Sequence, residues 1–113
     1  MHEMSLAEGV LQLIEDAARR DRFNKVSTVW LEIGQLSGAE PEAMAFCFDA
    51  VMRGTVADGA RLEIIALPGQ GWCGACNQSV PMTEVFDACP RCGGFPLHVT
   101  GGTEMRVKEL EVS

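Results

Sequence analysis

Cys73-Gly74-Ala75-Cys76 and, twelve residues later, Cys89-Pro90-Arg91-Cys92-Gly93-Gly94 are the two stretches that decide how this chain folds. A Cys-x2-Cys knuckle lets one tight turn aim two thiolates at a single ion, and two knuckles supply the four sulfurs of a tetrahedral site. Pro90 fixes the entry to the second turn and Gly93 permits its exit. A fifth cysteine, Cys47, lies far upstream. An odd count does not suit a disulfide framework, and in a reducing compartment metal ligation is the better reading. Zinc is the expected ion and its role structural, since four thiolates leave no position open for water. A rubredoxin-like iron centre uses the same four sulfurs, and the spacing does not separate the two.

The segment around the knuckles, 72–98, is too short to rest on an apolar core alone and needs such a staple. Pro68, Gly69 and Gly71 before it, and Gly101 and Gly102 after it, break the surrounding patterns and read as flexible connections through which the lobe reorients. His98 reads as an exposed or locally satisfied histidine, and Cys47 as a buried free thiol on an apolar helix face.

Outward from the lobe, the periodicities alternate. Residues 5–20 carry Leu6, Val10, Leu13, Ile14 and Ala17 on one helical face, with Ser5 and Glu8 as a capping box. Residues 25–34 read as a strand in which Val29, Leu31 and Ile33 alternate with Thr28, Trp30 and Glu32. A second helix opens at Pro41, presents Met44, Phe48, Val51 and Met52, and stops at Gly54. Residues 61–67 form a second strand. Residues 103–112 form a third, whose apolar parity changes near Lys108 and Glu109 as at a β-bulge. The third strand is expected to rejoin the first two, which makes the cysteine lobe an insertion.

The chain has 113 residues and a formal charge of −7, from 16 acidic groups against 9 lysines and arginines. That balance disfavours a nucleic-acid reader, which needs clustered cations. No apolar run suffices to span a bilayer and no secretory signal is evident, so a cytoplasmic protein is expected. No enzyme motif is present: there is no Gly-x-Ser-x-Gly, no phosphate loop and no tyrosine. Glu15-Asp16, Glu40 and Glu42 read as helix charges or caps, and Glu104 and Glu111 as strand-edge charges.

The opening Met1-His2-Glu3 has chemistry of its own. An α-amine, the next amide nitrogen and an imidazole Nδ1 form fused chelate rings, and a further amide completes four donors in a plane, which suits Ni²⁺ or Cu²⁺.

With Val29-Trp30-Leu31-Glu32-Ile33-Gly34, Ala45-Phe46-Cys47-Phe48-Asp49 and the two knuckles in order behind it, this opening resembles the HypA/HybF family of hydrogenase-maturation nickel metallochaperones over essentially the whole chain. The resemblance implies an α+β protein with two helices on a three-stranded sheet and an inserted small zinc-ribbon-like lobe. It places a nickel-binding domain at 1–68 plus 103–113 and a zinc domain at 69–102. It implies nickel ligands from the amine of Met1, from His2 and from the backbone nitrogen of Glu3, with Glu40 as a further donor. It assigns zinc to Cys73, Cys76, Cys89 and Cys92. The implied partners are the HypB GTPase and the precursor of the nickel-iron hydrogenase large subunit, with urease maturation proteins in some organisms. Either a monomer or a homodimer is compatible. A zinc-ribbon adaptor and a rubredoxin-like electron carrier are the competing functional classes.

Overall fold

Strand β1 (Val26–Gly34) is paired on both edges, and burial follows from that position. Val26, Val29, Leu31 and Ile33 are buried, and Thr28 joins them, so the strand is more enclosed than simple alternation suggests. The structure is a computed structural model and describes residues 3–113. The elements run α1 (Glu3–Asp21), β1, α2 (Pro41–Met52), β2 (Arg61–Leu67), β3 (Gly69–Cys73), β4 (Gln78–Met82), β5 (His98–Gly101) and β6 (Met105–Val112). The strands form two three-stranded sheets, ordered β2-β1-β6 and β4-β3-β5.

The third strand does rejoin the first, as β6. Ser113 N donates to Lys25 O at 2.9 Å and Lys25 N donates back to Ser113 O at 3.3 Å, the reciprocal pair of an antiparallel ladder. Arg106 Nε reaches Glu32 Oε1 at 2.6 Å across these strands. Glu111 is more than an edge charge, since its Oε1 accepts from Ser27 Oγ at 2.8 Å and from Thr28 Oγ1 at 3.0 Å. The half-buried positions of β6 are Met105, Val107 and Leu110, so burial changes phase where the apolar pattern does.

Both helices are amphipathic, with corrections at the first. α1 begins at Glu3, so Ser5 and Glu8 lie inside it and the expected capping box is not its start. Its buried stripe is Ala7, Val10 and Ile14, spaced by three and four. Leu13 falls off that stripe and is 58% exposed. α2 buries Met44, Phe48 and Met52, and Gly54 follows its end with φ 74°, as a terminating glycine should.

At the end of α1, Arg22 adopts φ 58°. A side chain with a Cβ is disfavoured there, whereas glycine is not. Arg22→Gly is expected to raise stability by about 0.5–1 kcal/mol, read as an upward shift of the urea midpoint. An unchanged or lower midpoint would mean that Arg22 makes a compensating interaction.

The chain divides into two compact units. One takes the residues through Glu32, Ala39–Ile65 and Arg106–Ser113; the other takes Ile33–Gly38 and Ala66–Met105. The second unit is more strand-rich than the sequence suggested. Gly69 and Gly71, read as pattern breakers, belong to β3, which pairs antiparallel with β4 and β5. These glycines serve close approach. A Cβ on Gly71 would stand 2.3 Å from Met82 Sδ, and one on Gly69 would stand 2.3 Å from Met82 O. The same holds at the other connection, where a Cβ on Gly102 would lie 2.6 Å from both Gly69 Cα and Pro68 O. Gly34, at the end of β1, would meet Gly102 O at 2.2 Å. Four backbone segments thus stack in contact at residues 34, 102, 69 and 82, and the expected flexible linkers are instead tightly packed backbone.

Candidate metal centre

The two knuckles face each other. Cys73 ends β3, and Cys76 follows in the turn that leads to β4. Asn77, with φ 54°, takes the left-handed position that lets this turn reverse, a conformation asparagine tolerates. The second knuckle is closed by its own backbone: Gly93 N donates to Cys89 O and Cys89 N to Gly94 O, each at 2.8 Å. Gly94 N also points at Cys92 Sγ, at 3.3 Å.

All four sulfurs lie within 4.8 Å of one another, the only such group of metal-ligating side chains among the described residues. Cys73 Sγ to Cys92 Sγ is 3.6 Å and Cys76 Sγ to Cys89 Sγ is 3.9 Å. Tetrahedral zinc with Zn–S bonds of about 2.3 Å requires sulfurs about 3.8 Å apart. The donor set therefore fits a structural zinc ion. It is also integral to the packing, because Cys73 and Cys89 are buried with Val80, Met82 and Leu97, while Leu36, Cys76 and Val99 pack against them.

The thiols differ in acidity. Backbone N–H groups of Cys92 and then Arg91 point at Cys89 Sγ and bring its pKa down to about 6, against the cost of burial. Cys76 is pushed up to about 12, first by its hydrogen bond with Cys92 and then by burial. Before a metal binds, Cys89 thus favours the thiolate at neutral pH and Cys76 holds its proton. His98 is exposed on β5 and is not part of the cluster. Cys47 is half-buried on α2, a little more accessible than the expected core thiol.

Three of the four nickel candidates, Met1, His2 and Glu3, fall at the start of the chain, and Glu40 precedes α2. Met1 and His2 lie outside the described residues. Glu3 and Glu40 are described, and they meet: Glu40 N donates to Glu3 Oε2 at 3.0 Å. Glu40 is the N-cap of α2, accepting from Glu42 N at 3.2 Å through Oε1 and from Ala43 N at 2.8 Å through Oε2. A cap was one reading of Glu40 from sequence; its bond to Glu3, which ties the start of α1 to the start of α2, carried no local signal.

Comparison with known proteins follows the same lines. The family model for "Hydrogenase/urease nickel incorporation, metallochaperone, hypA" matches residues 1–112. The hydrogenase maturation factors HypA of Albidiferax ferrireducens and Dechloromonas aromatica are 78% and 63% identical to this chain, each alignment covering 99% of both proteins. The solution structure of the nickel metallochaperone HypA from Helicobacter pylori superposes with a TM-score of 0.71 at 24% identity, covering 99% of this chain and 97% of that one. A second solution structure of a HypA protein gives 0.70 at 25% identity, covering 100% of this chain and 97% of the other. The chain belongs to the HypA family of nickel metallochaperones that act in hydrogenase maturation.

Proposed function

We propose that this protein carries Ni²⁺ at its N-terminus and passes it toward the large subunit of a nickel-iron hydrogenase, with HypB as its nucleotide-hydrolysing partner and Cys73, Cys76, Cys89 and Cys92 as ligands of a resident zinc ion. The observation that carries the reading is the match of the nickel-incorporation family over residues 1–112, which includes Met1-His2-Glu3. Within it, 1–68 plus 103–113 is the nickel-binding part and 69–102 the zinc-binding part. The protein acts as a carrier without catalysis of its own, in the cytoplasm.

The chemistry follows from the ligands. The amine of Met1, the amide nitrogens of His2 and Glu3 and the His2 imidazole surround the ion in a plane, the arrangement that Ni²⁺ favours and Zn²⁺ does not. The Glu3 side chain stays on Glu40 N and so fixes where the chelating segment leaves α1. Glu40 can lend a carboxylate oxygen to the ion by releasing the longer of its two cap bonds, the 3.2 Å contact to Glu42 N. Binding expels protons from the amine and amides, so nickel is held less tightly as pH falls, and protonation of the amine assists its release. The ligands cluster at a chain terminus, where a receiving site can replace them one at a time.

A nickel titration followed by visible absorption tests this. The protein with a free Met1 amine is expected to give the yellow spectrum of square-planar nitrogen coordination. His2→Ala, and a version extended before Met1, are expected to lose it while retaining zinc. Identical spectra from all three would place nickel elsewhere and bring the zinc-adaptor reading forward.

A further inference from the structure

Three hydrogen bonds converge on one oxygen in the turn at 83–87. Asp87 Oδ2 accepts from Thr83 N at 2.8 Å, Thr83 Oγ1 at 2.9 Å and Glu84 N at 3.2 Å, and Asp87 N returns a bond to Glu84 O at 3.1 Å. A turn closed in this way keeps its shape without packing its own apolar side chains. Those side chains are correspondingly displayed: Phe86 is 80% exposed and Val85 46% exposed. Opposite the turn runs the segment 35–38. Between them lies a groove of about 300 Å³, lined by Gln35, Leu36, Gly38, Thr83 to Phe86. Its floor is fixed as well. Leu36 packs against the cluster of Val80, Met82 and Leu97, and its backbone N donates to Gly102 O at 2.7 Å. A single exposed phenylalanine needs no explanation, but a preformed concavity with apolar groups on both walls does.

The charge of the unit that holds the groove is one-sided. The unit that contains it carries Glu84, Asp87 and Glu104 against one arginine, Arg91, and has no lysine. Glu84 stands in the lining itself. A second copy of this chain, at −7, would bring the same sign of charge to the contact.

We propose that the groove between 35–38 and 83–86 is a docking site for a basic segment of a partner protein, one that seats an apolar side chain between Leu36, Val85 and Phe86 and sets a lysine or arginine beside Glu84. Apolar anchorage supplies affinity, and Glu84, within a unit of net negative charge, selects the partner and favours its approach. The site is independent of the nickel ligands, so a nickel-free protein retains it.

The test is selection of a random peptide display library on the full-length, zinc-loaded protein, followed by fluorescence anisotropy with the most enriched peptide. The expected sequences combine lysine or arginine with a large apolar residue. Their affinity is expected to fall about tenfold or more with Phe86→Ser, and to fall with Glu84→Lys and with added salt. Both residues are exposed, and zinc content and the thermal midpoint of each variant verify its fold. Peptides that bind Phe86→Ser as well as the parent, or an enrichment of acidic sequences, would overturn the proposal. So would a dimer in sedimentation that dissociates with Phe86→Ser, because a second copy would then be the occupant.

Discussion

Cys89→Ser is expected to abolish zinc binding and to remove amide protection from β3, β4 and β5 while leaving α1 and α2 protected. Two of the five buried residues of the lobe's core are themselves ligands, Cys73 and Cys89, so few purely apolar contacts remain once the metal is gone. A unit this small lies near the size at which a core stops sufficing. Structural zinc supplies on the order of 10–16 kcal/mol, more than the remaining packing can replace. Hydrogen exchange with zinc analysis checks the outcome, and persistent protection of β3–β5 without bound metal would show that the apolar cluster holds the lobe alone. Acid should act in the same direction. With Cys89 near 6 and Cys76 near 12 before metal enters, zinc must expel protons at neutral pH, Cys76 among the thiols that give one up. Zinc affinity therefore falls as pH falls, and more steeply as Cys89 itself becomes protonated around 6.

Gly102→Val is the second large effect. Residue 102 has φ 87°, and its Cβ would stand 2.6 Å from Gly69 Cα and from Pro68 O, both backbone atoms that cannot swing aside. A left-handed conformation alone costs an L-residue about 1–2 kcal/mol, and displacing packed backbone should bring the loss to about 3 kcal/mol or more. Gly93→Ala is the control: φ is 73° there, but no atom lies within 4 Å of the added Cβ. It should cost only about the conformational 1 kcal/mol. Denaturation of both zinc-loaded variants separates conformation from sterics. Equal losses would show that the stacked segments part easily.

The sequence carried the parts of this molecule whose physics is local. The knuckles, the apolar stripes of α2 and β1, and the return of the last strand rest on spacing and period, and the structure has them. Leu13 failed because a stripe spaced by three and four admits two candidate edges, and only packing chooses Ala7 and excludes Leu13. The capping-box reading failed because Ser5 and Glu8 satisfy that pattern equally well inside a helix that begins at Glu3. Gly69, Gly71 and Gly102 were misread for another reason. A glycine that permits motion and one that permits contact look alike until the other backbone is known, and that backbone is distant in sequence. Glu40 read from local sequence only as a helix charge or cap, and its bond to Glu3 joins residues that no short window sees together.

The stacking of residues 34, 102, 69 and 82 also orders events during synthesis. Gly34 leaves the ribosome long before Gly102, and β1 has to wait for β6, made later still, before its second edge is paired. Closing so long a loop comes late and is rewarded only when both ends are present. A nascent chain whose first helix and first strand have already emerged therefore still lacks one strand of the sheet β2-β1-β6. The sheet β2-β1-β6 is completed only after both cysteine knuckles have emerged, so the four thiols can be gathered before β6 joins β1.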